Sequence, residues 1–331
     1  LTQQCPLCEA ALPERDRFCE VCGTALPQPE RTEPVCPRCG AGPAEIDHEG
    51  FCCACGFRRE ERGRDHVESV ISPAFAGISD RGLRHHRNED YLALKIFPAA
   101  AEAEPTSVLI VCDGVSSVHD PDVASAAAAE RTSVAFEEFL NDGRLIDGEA
   151  MQAAIDAAQA SVADIPYSAG AANNRAATTI VAAAVHAGCI TIGWRGDSRA
   201  YWIGPDEATP LTVDHSWYNG VMQSGEMSEA EALQSPDAHA ITNWLGADAP
   251  TDVPPAILQF EIPGPGKLLL CSDGLWNYAP RAEALHELVQ SFSGDAIDCC
   301  RGLVDFARSK GGNDNITVAV LTIGDLPKFI E

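Results

Sequence analysis

Positive charge is scarce in this chain. Its 331 residues carry 23 Lys+Arg against 49 Asp+Glu, a formal net charge of -26. Phosphate backbones and anionic lipid repel such a surface unless a local basic patch is present, and the sequence has none. Nucleic acid and membrane surfaces are therefore excluded as partners. Long apolar runs are also missing. The longest uncharged stretch, residues 176–194, holds three threonines, a histidine and two glycines. It reads as two strands and a turn rather than a membrane span. The N-terminal segment is polar and cysteine-rich with no apolar signal segment, so a cytoplasmic location is expected. Apolar matter is nonetheless sufficient for a core, at 45% hydrophobic against 22% charged residues. The length suits two domains, or one large domain with a small appendage.

The fourteen cysteines divide by spacing. Nine precede Gly56, and eight of these form the Cys-x-x-Cys pairs Cys5/Cys8, Cys19/Cys22, Cys36/Cys39 and Cys52/Cys55. Ten residues separate the first two pairs and twelve the last two. A Cys-x-x-Cys knuckle aims both sulfurs at one point, and two knuckles supply the four thiolates of a closed tetrahedral zinc site. Two structural Zn²⁺ ions are therefore expected. Pro6, Pro37, Gly23, Gly40 and Gly56 stand where such knuckles turn. A segment this small with little apolar content cannot fold on burial alone, and metal binding supplies the missing stability. The competing reading is a disulfide framework or a redox pair. Four evenly repeated pairs without a signal segment argue against both. Over residues 1–57 the segment resembles the bacterial double zinc ribbon. Residues 1–66 hold twelve acidic and eight basic side chains, so the ribbons are expected to dock a protein partner rather than nucleic acid. Cys53 stands outside the pairing. The other five cysteines sit in apolar runs as core thiols.

Residues 58–70 are dense in Arg, Glu and Asp, the composition of a solvated linker. Residues 71–326 form the second part. Strands are expected over 91–96, 108–112, 178–185, 190–194, 200–203, 256–262, 267–271 and 316–323, each short, apolar or β-branched, and bounded by turn residues. Helices are expected over 121–140, 149–163, 229–234, 281–292 and 295–309. The strands bunch together instead of alternating with helices. That favours an α+β fold of two stacked antiparallel sheets flanked by helices, an αββα sandwich.

Acidic residues recur where these strands begin or end. Asp113-Gly114 follows 108–112, and Asp273-Gly274 follows 267–271 after one serine. Asp314 precedes the last strand, Asn88-Glu89-Asp90 precedes 91–96, and Asp197 sits between 190–194 and 200–203. A single Asp-Gly is usually a turn. Repeated acidic strand ends are a different matter, because sheets bring strand ends to one edge and clustered carboxylates repel unless cations neutralise them. An all-oxygen cluster suits Mg²⁺ or Mn²⁺, whereas thiolates suit zinc.

The ordered set is Ser79-Asp80-Arg81-Gly82, Asn88-Glu89-Asp90, Val111-Cys112-Asp113-Gly114, Ala177-Thr178-Thr179, Gly196-Asp197-Ser198-Arg199-Ala200-Tyr201, Leu211-Thr212-Val213-Asp214-His215-Ser216, Ser272-Asp273-Gly274-Leu275-Trp276 and Gly311-Gly312-Asn313-Asp314-Asn315. Over about residues 73–324 it resembles the metal-dependent protein phosphatases of type 2C, the PPM family. The resemblance implies a serine/threonine protein phosphatase with two Mn²⁺ or Mg²⁺ ions and room for a third, weaker one. It implies Asp113 bridging both metals, Asp273 and Asp314 completing the first site, and Glu89 with the Gly114 carbonyl holding the second. Asp90 would orient these ligands, and Asp197 would serve the third metal. The nucleophile would be a metal-bridging water, which two cations make reactive near neutral pH. Phosphorylated proteins of Ser/Thr kinase signalling are the implied substrates.

Three positions depart from the family pattern. The arginine expected three residues before Asn-Glu-Asp is His85, and Arg84, His85 or Arg87 is left to grip the phosphate. Val115 stands where some relatives place a histidine proton donor, so water would protonate the leaving alkoxide. Asn277 replaces an acid that would serve the third metal. Residues 214–246 match the family's flap, with 216–235 as its mobile part. The alternative to an enzyme is a catalytically silent phosphatase-fold scaffold or phosphopeptide-binding regulator. The retained metal ligands favour the enzyme.

Overall fold

A computed structural model describes residues 65–98, 104–166, 175–225, 227–238, 240–250 and 253–324, with residues 2–4, 11–13, 36, 39–42, 45 and 52–54 of the N-terminal part. The chain divides into two compact units, Leu1–Glu61 and Arg62–Glu331. In the first, β1 (Thr2–Gln4) pairs antiparallel with β2 (Ala11–Pro13).

The second unit starts with β3 (His66–Ser72), β4 (Phe75–Asp80), β5 (Tyr91–Phe97) and β6 (Thr106–Cys112), then helices α1 (Pro121–Asn141) and α2 (Gly148–Ala163). There follow β7 (Ala177–Thr178), β8 (Ile180–His186), β9 (Cys189–Arg195), β10 (Arg199–Ile203) and β11 (Ala208–Pro210). Short helices α3 (Trp217–Ser224) and α4 (Glu229–Ala232) precede β12 (Leu245–Gly246), β13 (Ala256–Glu261) and β14 (Gly266–Cys271). The described chain closes with α5 (Asp273–Trp276), α6 (Ala282–Gln290), α7 (Ala296–Ser309) and β15 (Ile316–Ile323).

Two antiparallel sheets stack face to face, in the orders β11-β10-β14-β15-β4-β3 and β13-β9-β8-β6-β5. Strand β6 explains the layering. Leu109 and Val111 enter the core between the sheets, whereas Val108, Ile110 and Cys112 enter the core under α1 and α2. Side chains alternate along a strand, so a sheet covered on both faces reads as an unbroken apolar run. Ala128, Ala129, Phe136, Met151 and Ile155 form the helical side of that core. On the other flank, Leu285, Val289, Leu303 and Val304 of α6 and α7 pack on Ile78, Tyr201 and Val318. The expected αββα sandwich is the fold observed. None of the described helices is long and apolar enough to cross a membrane.

One expectation needs adjustment. The charged linker expected over 58–70 gives way to a strand at His66, because charge is compatible with an edge strand. There Glu68 pairs with Arg301 at 2.6 Å, and His66 Nδ1 lies 2.7 Å from an Asp80 oxygen. Within the 216–235 stretch expected as the mobile part of the flap, two capped helices form. The Ser216 hydroxyl accepts from Asn219 N–H, and Ser228 with Glu231 makes a capping box.

Candidate active site

Strand register gathers the acidic strand ends at one end of the sandwich. Tyr91 lies opposite Cys112, so Asp90 and Asp113 leave neighbouring strands side by side. Arg199 lies opposite Cys271, which sets Asp197 close to the turn carrying Asp273. The last strand enters next to β14 with Cys271 opposite Val318, and its preceding residues bring Asp314 to the same end.

The two Asp-Gly glycines serve close approach, since neither has a positive φ. A Cβ on Gly274 would lie 1.9 Å from the Asn315 carbonyl oxygen, and one on Gly114 would lie 2.7 Å from that of Glu89. Only glycine lets these backbones meet. The backbone of Asp113 is pinned from β7 and its continuation. Its carbonyl accepts from Thr178 Oγ1 and from Thr179 N–H, both at 2.8 Å.

The electrostatics follow from this crowding. Burial pushes the Asp113 carboxyl well above the ordinary carboxylate range, and Asp90, Asp273, Asp314 and Asp197 push it further. Asp273 is raised likewise, by burial and then by Asp314, Asp197 and Asp90. Burial also lifts Asp90 and Asp197 to about 7. Asp90 Oδ2 accepts from Ser272 Oγ at 2.8 Å, but Asp90 Oδ1 and Asp273 Oδ1 are buried with no hydrogen-bond partner. Buried, mutually repelling carboxylates with unspent oxygens are stable when a cation supplies the missing charge. The donor set is all oxygen, which fits Mg²⁺ or Mn²⁺.

Glu89 lies at the edge of this group. It accepts from Ser116 Oγ at 2.5 Å and from Arg87 Nε at 3.0 Å. Arg87 also reaches Asp122 at 3.6 Å, so its guanidinium is engaged with two carboxylates. His85 sits between two of these acids, with Nε2 3.1 Å from Asp314 and Nδ1 3.9 Å from Glu89. Arg84 is exposed. Asn277 does not extend the acidic group, since its Nδ2 donates to Asp273 Oδ2 at 3.1 Å. The Asp197 loop is braced from behind. Trp276 Nε1 donates to the Asp197 carbonyl at 2.9 Å, and Arg199 stacks 3.6 Å above the Trp276 ring while gripping Asp214 with two nitrogens.

Sequence reasoning assigned no role to Asn315 or Ser116. Asn315 Oδ1 accepts the Glu89 N–H at 2.7 Å, and its Nδ2 donates to the carbonyls of Arg81 and Arg87. One side chain thus holds the whole 81–89 loop against the start of β15. Its place beside Asp314 in the Gly-Gly-Asn-Asp-Asn run was the available signal.

In the N-terminal unit the sulfurs of Cys36, Cys39 and Cys52 lie within 4.8 Å of one another. The Gly40 N–H donates to the Cys36 carbonyl at 2.8 Å, turning the chain between the first two. Cys5, Cys8, Cys19, Cys22 and Cys55 lie outside the described residues.

Comparison with known proteins agrees with this geometry. A family model described as Protein phosphatase 2C matches residues 83–297. The serine/threonine phosphatase Stp of Listeria innocua is 30% identical over 246 residues, covering 73% of this chain and 93% of that protein. The solved structure of Stp1 from Staphylococcus aureus is 26% identical with a TM-score of 0.63, covering 79% of this chain and 98% of its own. The catalytic domain of the phosphatase PstP, solved with two manganese ions, is 26% identical with a TM-score of 0.58 and covers 76% of this chain and 98% of its own. The chain belongs to the protein phosphatase 2C family of metal-dependent serine/threonine phosphatases.

Proposed function

We propose that the acidic end of the sandwich holds two divalent cations, Mn²⁺ or Mg²⁺, for hydrolysis of phosphoserine and phosphothreonine in protein substrates. The observation that carries this reading is the buried carboxylate group with unpartnered oxygens on Asp90 and Asp273. Asp113 would bridge the two ions, Asp273 and Asp314 would complete one site, and Glu89 with the Gly114 carbonyl the other. Asp197 would serve a third ion, held weakly because Asn277 brings no charge. When bound, the cations supply an activated water for in-line attack and shield the phosphoryl charge.

The remaining work belongs to side chains. Ser272 fixes one oxygen of Asp90, and the other is buried without a partner. Ser116 and Arg87 fix the Glu89 carboxylate. With Arg87 committed to carboxylates and Arg84 exposed, His85 is the best placed of the three to contact substrate phosphate. Replacing His85 with alanine should raise KM for phosphopeptides more than the same change at Arg84, measured by phosphate release. Equal effects would remove His85 from that role.

For the first unit we read Cys36, Cys39 and Cys52, with Cys55, as one structural Zn²⁺ site, and Cys5, Cys8, Cys19 and Cys22 as the other. The converging thiols support the first of these. The ribbons would dock a protein partner, and the substrates would be phosphoproteins of Ser/Thr kinase signalling in the cytoplasm. The decisive experiment is hydrolysis of a phosphothreonine peptide in Mn²⁺, in EDTA, and by Asp273→Ala. Mn²⁺-dependent turnover lost in the variant is expected. Absent turnover with metal bound would instead indicate a silent scaffold.

A further inference from the structure

The phosphatase reading leaves unassigned a cleft of about 400 Å³ next to Asp113. Three segments line it. The loop after β6 contributes Val115 and Val118, β7 contributes Ala177, and the run leading into β12 contributes Ala240, Ile241 and Trp244. The cleft is physically continuous with the metal loop. Val115 is two residues past Asp113, and its N–H donates to the Ala177 carbonyl at 3.0 Å. The next residue of β7, Thr178, bridges Gly114 and also bonds the Asp113 carbonyl.

The walls are built rather than incidental. Leu245 and Gly246 of β12 pair with Thr178 and Ala177 of β7. Gln159 of α2 then locks β12 from behind, donating to the Gly246 carbonyl at 2.7 Å and accepting its N–H at 3.1 Å. The Ala240 carbonyl accepts the Trp217 N–H at 2.8 Å, which anchors the other wall to the start of α3. Two charged residues, Arg175 and Asp248, also line the cleft. Their signs cancel, so a charged occupant gains little from one that it does not lose to the other. An apolar occupant gains from every aliphatic wall and from Trp244.

We propose that this cleft receives a bulky apolar side chain, aromatic or leucine, of the substrate protein, one to three residues from the phosphorylated serine or threonine. The proposal rests on the phosphatase reading above. Its geometry is that of a peptide: successive Cα atoms are about 3.8 Å apart, so a phosphate held at Asp113 places near neighbours over Val115. The cleft would then set sequence preference while the acidic group sets chemistry.

The test is steady-state hydrolysis by the full-length protein in Mn²⁺. Substrates are phosphothreonine peptides in an alanine background, with Phe, Leu, Asp or Lys placed singly at each of the three positions on either side. One register should show kcat/KM about tenfold or more higher for Phe or Leu than for Ala, and no gain for Asp or Lys. Val118→Trp, which fills the cleft, should bring the Phe peptide down to the level of the Ala peptide. Trp244→Ala removes a wall and serves the same purpose if the first variant fails to fold. A flat profile, a charged preference, or a preference that survives both substitutions overturns the proposal. p-Nitrophenyl phosphate separates the two readings. Its hydrolysis alongside a flat peptide profile leaves the phosphatase standing and removes the subsite, whereas no hydrolysis of either substrate removes both.

Discussion

The N-terminal unit and the phosphatase domain would meet metal from opposite directions. In the first, thiols converge within a segment whose sequence offers little to bury, so the ion would hold the fold together. In the second, three layers of apolar packing are complete without any ion, and the carboxylates hang from strand ends that the sandwich has already fixed. There the fold would hold the ions, and the buried carboxylates repel one another without them. The comparison teaches that a metal ligand's chemistry and its structural duty are separable. A thiolate knuckle makes a fold from local spacing, while a carboxylate site draws on a fold made elsewhere.

The largest expected effect lies at the catalytic end. Asp113→Ala should lower kcat/KM on a phosphothreonine peptide by about 10³-fold or more, the scale of losing a preorganised electrostatic element. Circular dichroism should show the fold intact; undiminished turnover would break the assignment. In the N-terminal unit, Cys36→Ser should release zinc and unfold that unit while p-nitrophenyl phosphate turnover in Mn²⁺ persists. Zinc analysis and turnover on the same sample check this, and a joint loss would show that the two units are not energetically separate. Third, Mn²⁺ at about 100 times its Kd should stabilise the phosphatase domain by about 2.7 kcal/mol for each site it fills. Asp273→Asn should remove the gain of its own site yet raise the melting temperature of the metal-free protein, because it deletes a buried carboxyl that its acidic neighbours repel. Calorimetry reads both signs. The smallest effect concerns Asn243, buried at 2% exposure with neither amide atom hydrogen-bonded. Asn243→Leu should stabilise the domain by about 1 kcal/mol. A lower denaturation midpoint would mean that the amide has a partner in solution.

Much of this architecture is written in local pattern. The run 108–112 has the apolar density of a doubly covered strand, and 316–323 matches β15 at both ends. By contrast β3 and β4 escaped notice. The first is an edge strand with charged and exposed positions, and the second, Phe75–Asp80, includes Ala, Gly and Ser that carry weak strand signals. Helix α3 was hidden by its Asn and Gly, both weak helix formers. At the site, the acids were legible because Asp-Gly and Gly-Gly-Asn-Asp-Asn are local words. The bond from Glu89 N–H to Asn315 was not, since it joins residues 226 positions apart. Nor could spacing reveal that Arg87 is spent on Glu89 and Asp122, which leaves His85 nearest the acidic group.

Strand β15 is the last described strand, yet it lies between β14 and β4 in the interior of its sheet. Asp314 and Asn315, which position one acid and tether the 81–89 loop, arrive with it. A chain still emerging from the ribosome therefore holds most of its carboxylates with a gap in the sheet and no closed centre. Such an order of assembly would delay dephosphorylation until synthesis has passed β15, so that a truncated product would be inert rather than indiscriminate. A ribosome-stalled chain ending before Ile316 should accordingly release no phosphate from peptides, and release by such a chain would remove that ordering.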